Sequence, residues 1–144
     1  MSTNVVSAKE IKRQWHLVDA KSKTLGRLAS DVAQVLMGKN KPNWVPYLDM
    51  GDFVVVVNAD KVKVSGKKET AKKYYRHSGY PGGLRTETLS EVRAKKPEEL
   101  IRHAVGGMVP KTKLGRQIIK KLHIYAGTEH PYKRQLKEEQ KDAE

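Results

Sequence analysis

The chain has 144 residues, with 29 lysines and arginines against 16 aspartates and glutamates, a formal net charge of +13. That length fits one domain around one core, and the charge draws polyanions without saying anything about fold. The absence of cysteine excludes disulfides, thiolate zinc sites and a cysteine nucleophile.

Residues 1–14 show little periodicity and read as a flexible or docking arm. They contain no apolar stretch of signal-peptide length, and no run anywhere approaches the roughly 20 apolar residues of a membrane span. A cytoplasmic chain with no membrane partner is expected. "WHLVDA" (15–20) is a short β-prone run. Leu25, Leu28, Ala29, Val32, Val35 and Leu36 then recur at helical spacing. Thr24 suits the start of that helix and Gly38 a left-handed end. "DFVVVVNA" (52–59) is a β-branched run of the kind buried on both faces of a parallel sheet. Strand, helix and strand in this order predict a right-handed βαβ unit.

Val62 and Val64 alternate with Lys61 and Lys63, which predicts a strand with one apolar and one basic face. "KKYYRHS" (72–78) reads as a further strand returning beside it, and "GYPGGLRT" (79–86) as a loop. Thr88 and Glu91 have the spacing of a capping box, Leu89 and Val92 begin a short helix, and Pro97 suits the first turn of the next. Leu100, Ile101, Ala104 and Val105 form the stripe of that second helix. In "GGMVPKTKLGRQ" (106–117), Gly106 and Gly107 are expected to end it, and Pro110 to turn the chain. Leu114, Ile118, Ile119 and Leu122 then mark another apolar stripe, and "HIYAG" (123–127) a last strand. From Tyr132 onward the polar composition predicts a poorly ordered charged tail. The expected organisation is an arm at 1–14, one domain at 15–131 and a tail at 132–144.

Nucleotide chemistry needs fixed spacings. A Walker loop requires G-x-x-x-x-G-K-[ST], and neither "MGKN" nor "SGKKET" satisfies it. G-x-G-x-x-G and G-x-S-x-G are also missing. The histidines at 16, 77, 103, 123 and 130 share no metal-ligand spacing, although His123 and His130 can meet in space. Asp49 and Asp52 flank a glycine, where turn hydrogen bonding is the expected role. No catalytic residue, cofactor or metal is assigned. A phosphate-substrate enzyme on an α/β domain is the rival reading.

The basic residues are concentrated. Lys61, Lys63, Lys67, Lys68, Lys72, Lys73, Arg76 and Arg85 face only Asp60 and Glu69 between positions 60 and 85. Lys111, Lys113, Arg116, Lys120 and Lys121 have no acid among them. Two such segments on a small domain predict a basic face for RNA, with strong salt dependence. Tyr74, Tyr75 and Tyr80 lie among the lysines, and an exposed tyrosine stacks on an unpaired base. Adjacency on a strand sends one of Tyr74 and Tyr75 inward. Trp44 and Tyr47 are read as packing residues of a loop whose Lys39 and Lys41 are also expected to face RNA. Gly79, Gly82 and Gly83 are expected to let backbone N–H groups approach phosphates.

"WHLVDAKSKTLGRLAS", "NWVPYLDMGDFVVVVNADKVKVSGKK", "YYRHSGYPGGLR" and "GGMVPKTKLGRQIIKKLHIYAGTEHP" occur in this order between Trp15 and Pro131. Together they resemble the bacterial large-subunit ribosomal protein family L-thirteen. The resemblance implies a three-layer α/β/α single domain on a mostly parallel sheet of about four strands. It implies large-subunit ribosomal RNA and neighbouring ribosomal proteins as partners, and an early part in subunit assembly. Some members also bind their own messenger RNA. Carried onto this chain, the RNA-facing positions are Tyr75, Arg76, His77, Ser78, Gly79, Gly82, Gly83 and Arg85. They continue at Gly107, Met108, Pro110, Lys111, Leu114, Gly115 and Arg116, with Met108 and Leu114 as packing positions. Tyr132 stands where many members carry a second histidine, which argues further against a metal at His130.

Overall fold

The computed structural model describes residues 5–142, and side chains as far as residue 137. Expectations for the first four residues of the arm and the last two of the tail lie outside the described residues. In chain order the elements are β1 (Trp15–Asp19), α1 (Leu25–Met37), β2 (Phe53–Val57), α2 (Lys68–Ala71), β3 (Lys73–His77) and β4 (Leu84–Thr88). Then come α3 (Leu89–Lys95), α4 (Pro97–Met108), α5 (Lys113–Ile119), β5 (Leu122–Ile124) and α6 (Lys133–Asp142).

The βαβ unit forms as its pattern predicts. β1 and β2 pair in parallel, from Trp15 opposite Phe53 to Asp19 opposite Val57, with α1 crossing between them. β5 pairs in parallel with the other edge of β2. α1 buries Leu25, Leu28, Ala29, Val32, Ala33 and Leu36 on one face. It ends at Gly38, whose φ of +74° lets its N–H return to the Val35 carbonyl at 3.1 Å. A Cβ there would also stand 2.6 Å from the Met50 carbonyl oxygen.

Val54, Val55 and Val56 are fully buried because the sheet is covered on both faces. Each such valine contributes about 1.5 kcal/mol by leaving water. Val54, Val56, Leu122 and Ile124 join the core made with α1 and α4. On the opposite face Trp15 stacks on Phe53 at 4.4 Å and on Tyr132 at 4.9 Å, and α6 packs beside β1. The architecture is a single α/β domain with a parallel sheet between helical layers.

Several local expectations change. The parallel sheet has three strands rather than about four. Residues 59–61 form a 3₁₀ turn, and the predicted strand beyond it is reduced to one parallel bridge between Thr24 and Lys63. β3 pairs antiparallel with β4, not with that segment. The loop therefore shrinks to the tip between two strands, and a second, two-stranded sheet stands apart from the first. Gly106 and Gly107 lie within α4 instead of ending it. Leu122 belongs to β5 rather than to a helical stripe. The segment expected to lack order forms α6, with Leu136 turned inward. α3 and α4 start as predicted. The Thr88 N–H donates to Glu91 at 2.9 Å, Glu91 N–H donates back to the Thr88 hydroxyl at 3.4 Å, and Pro97 opens α4.

Candidate nucleic-acid interface

The β3–β4 hairpin carries the first block of expected RNA-facing residues, from Lys73 to Arg85. Its register sets Lys73 opposite Thr88, Tyr75 opposite Thr86 and His77 opposite Leu84. Directly opposed side chains share a face, so this is one surface. Tyr74, Arg76, Arg85 and Glu87 share the other. Tyr74 turns toward α4, its ring edge-on to His103 at 5.1 Å, and burial raises its phenol pKa. Tyr75 is 65% exposed and Tyr80, at the tip, 76%. The period of two therefore separates a packing tyrosine from one open to a partner.

The tip is built by its glycines. Gly79 and Gly82 have φ of +87° and +70°, where a Cβ is strained. A Cβ on Gly83 would fall 2.1 Å from the Ser78 hydroxyl. Gly83 N–H donates to the Tyr80 carbonyl at 3.0 Å, and Gly79 N–H donates to His77 Nδ1 at 2.9 Å. The N–H groups of Gly79 and Gly83 thus close the turn within the free chain. Accepting at Nδ1 puts the proton of neutral His77 on Nε2.

Lys67, Lys68, Lys72 and Lys73 lead into the hairpin and are all exposed. Lys72 Nζ lies 5.3 Å from the centre of the Tyr74 ring, a cation–π contact over its face. α2 is tied to α3 by Arg93 and Glu69 at 2.8 Å. Arg76 meets Glu87 at 3.0 Å, and Lys95 of α3 meets the other Glu87 oxygen at 2.7 Å.

The second basic segment surrounds α5. The Thr112 hydroxyl accepts from Gly115 N–H at 3.3 Å and begins the helix. Leu114, Ile118 and Ile119 turn to the core. Lys111, Lys113, Arg116 and Lys120 are exposed and make no ion pair among the described residues. Gly115 is different: it is buried, and a Cβ would lie 1.7 Å from the Pro110 carbonyl oxygen. Packing alone therefore requires a glycine there. Gly107 is exposed on a helix, with nothing within 4 Å of an added Cβ.

Two expected RNA-facing lysines have inward roles. Lys121 is 6% exposed, and its ammonium donates to Asp49 at 2.5 Å and to the Leu36 carbonyl at 3.3 Å. Burial pushes its pKa down, while Asp49 opposes that. Lys41 donates to Asp52 at 2.7 Å and to the carbonyls of Lys12 and Met50 at 2.7 and 2.8 Å. His16 and the Gln14 N–H also reach Asp52, each at 3.0 Å. Burial alone would raise the Asp52 carboxyl, but these donors outweigh it and hold the pKa at about 2. Asp49 also accepts from Gly51 N–H at 3.3 Å, the turn role expected of it. This cluster joins the arm, the loop after α1 and the entrance to β5. A signal for it exists in the sequence, since Asp49 and Asp52 are the only acids between Asp31 and Asp60. Their partners are distant in the chain and show no spacing. Lys39 remains exposed, 5.7 Å from the centre of the Trp44 ring, whose indole N–H donates to the Met37 carbonyl at 3.0 Å. Trp44 and Tyr47, expected to pack, are both exposed, at 36% and 63%, and Trp44 is held by that hydrogen bond rather than by burial.

Among the described residues no three histidines, aspartates or glutamates gather as a metal set. His123 Nδ1 instead meets the Tyr132 hydroxyl at 3.2 Å, and burial, then the charge of Arg102, lowers its pKa. At the carboxyl ends of the strands Asp19 accepts from Asn58 at 2.9 Å and from Lys21 N–H at 2.9 Å, so that carboxylate is engaged.

A family described as Ribosomal protein L13 matches residues 13–131. The chain is 54% identical to the large ribosomal subunit protein uL13 of a Nitratiruptor species, over 94% of this chain and 96% of that one. It is 55% identical to the protein of that name from Thermosipho africanus, over 92% and 89% of the two chains. It is also 55% identical to that of Geobacillus kaustophilus, over 95% and 94%.

Proposed function

Since this chain belongs to the ribosomal protein L13 family, it is a structural component of the large ribosomal subunit and not an enzyme, and we propose that it braces converging segments of ribosomal RNA. In bacteria that subunit is cytoplasmic. Two surfaces do the bracing. One is the β3–β4 hairpin, with Arg76 and Arg85 on one face and His77 Nε2 and the open ring of Tyr75 on the other. The other is the α5 segment, with Lys111, Lys113, Arg116 and Lys120. Lys67, Lys68, Lys72 and Lys73 add charge around the first, Ser78 and Gly82 shape its tip, and Lys39 adds an exposed cation in the loop after α1. The observation that carries this reading is the second surface: four exposed cations without an acidic partner among the described residues. Cations so placed neutralise phosphates and release counterions. Exposed tyrosine rings add sequence-tolerant stacking on unpaired bases.

α4 separates the two surfaces. It follows α3 in the chain, and its 12 residues span about 18 Å. A brace of this sort suits an early step of subunit assembly, before the RNA segments have met. Neighbouring ribosomal proteins are its further partners. The chain's own messenger RNA would compete for the same two surfaces.

The test is binding to deproteinised large-subunit RNA across a salt series. Arg76→Ala and Arg116→Ala are each expected to weaken binding and to reduce the log–log salt slope by about one unit. Unchanged slopes in both variants would remove these residues from the interface. Loss of the wild-type protein from large subunits after a high-salt wash, with all of it in the soluble pool, would count against the bracing role.

A further inference from the structure

The hairpin face that carries Arg76, Arg85 and Glu87 has a feature that sheet stability does not explain. Arg76 and Arg85 are directly opposed in the ladder, and like charges in that position repel. Lys95 approaches from α3, so Arg76 and Lys95 both reach one carboxylate while Arg85 stands beside Arg76 without an ion pair among the described residues. They line a concavity of about 580 Å³ between the hairpin and α3, together with Ser78 and Thr86, and Glu87 is the one acid in its lining. Glu87 is bound at both oxygens, to Arg76 at 3.0 Å and Lys95 at 2.7 Å.

From this geometry we infer that Arg76, Arg85 and Lys95 form a site for one phosphodiester of the RNA backbone, and that Glu87 is a built-in competitor that an incoming phosphate displaces. The inference rests on the RNA-bracing function and assigns to it two residues outside the expected set, Glu87 and Lys95. A phosphodiester offers the cations the same pair of charged oxygens as a carboxylate. Displacement is easy because Arg76 is 81% exposed and Lys95 65%, and ion pairs this open hold weakly. The hydrogen bonds from Lys95 and then Arg76 lower the pKa of Glu87, so the competitor is charged at neutral pH. Its presence also fits specificity. A loosely held polyanion does not displace Glu87, whereas RNA already fixed by the α5 surface brings its phosphate at high local concentration.

The experiment compares wild type, Glu87→Gln, Lys95→Gln and the double variant on deproteinised large-subunit RNA in a KCl series, with folding checked by circular dichroism. Glu87→Gln is expected to bind about tenfold more tightly near 0.1 M salt, with a salt slope steeper by about one unit as Arg76 and Lys95 lose their internal counter-ion. Lys95→Gln is expected to weaken binding several-fold, and the double variant to fall between. Glu87→Gln binding equal to or weaker than wild type overturns the competitor, provided Arg116→Ala still weakens binding. If Arg116→Ala is also without effect, the functional reading fails first. A second readout covers a misfolded Glu87→Gln. In wild type, RNA should shift the side-chain NMR signals of Arg76 and Lys95 together, and their failure to move overturns the site. Inorganic phosphate at millimolar concentration shifting both signals while RNA does not would assign the site to the free anion and overturn the RNA assignment.

Discussion

Asp52 and Lys121 are the residues where folding and charge are most tightly joined. The Asp52 carboxyl is held at about 2 against an ordinary value of 3.8. A folded-state pKa below the unfolded one adds stability that is complete above about pH 4 and is lost as pH falls toward 2. Wild type is therefore expected to lose about 2 kcal/mol over that interval from this group. Urea denaturation at a series of pH values should show the loss, and Asp52→Asn should lack that part of the slope while being less stable at pH 7. Lys121→Ala leaves Asp49 without its buried partner and should cost about 3 kcal/mol. Because its ammonium points inward, its RNA salt slope should match wild type wherever the variant is folded. A reduced slope would return Lys121 to the interface. Composition counted Lys41 and Lys121 with the basic surface because a charge total carries no direction.

Among the elements, the α4–α5 junction separates two glycines that look alike in the sequence. Gly115→Ala places a methyl against the Pro110 carbonyl and should destabilise by about 2–3 kcal/mol. Gly107→Ala occupies open space on a helix and should stabilise by about 0.5 kcal/mol. Thermal denaturation of the two variants checks both signs. The elements with strong local signals were legible. α1 was readable from its apolar period and Gly38, β2 from its valine run, and α3 from Thr88 and Glu91. The β4 strand was not, because "LRTET" has no apolar alternation and is set by pairing with β3. The strand expected at 61–64 failed for a related reason. Its alternation was real, but only Lys63 finds a ladder partner, at Thr24.

Across the whole molecule stability is uneven. β2 lies between two strands and two covered faces, whereas the hairpin is a separate two-stranded sheet with Tyr75 and Leu84 exposed. Amide exchange in the free protein should be slowest at Val54–Val56 and markedly faster at Tyr75–Arg76. RNA should protect the hairpin more than the parallel sheet. Equal protection of both sheets in the free protein would show the hairpin to be as firmly held as the core.

The sequence by itself determined the basic character, the βαβ start, the paired helices α3 and α4 and the family, since each rests on local pattern or on residues in order. Tertiary structure alone decided which cations face outward. It buried Lys121 against Asp49, drew Lys41 to Asp52, set Arg76 against Arg85 and brought Lys95 to Glu87. The physical reason is that an ion pair depends on distance in space, and these partners lie 8 to 72 residues apart in the chain.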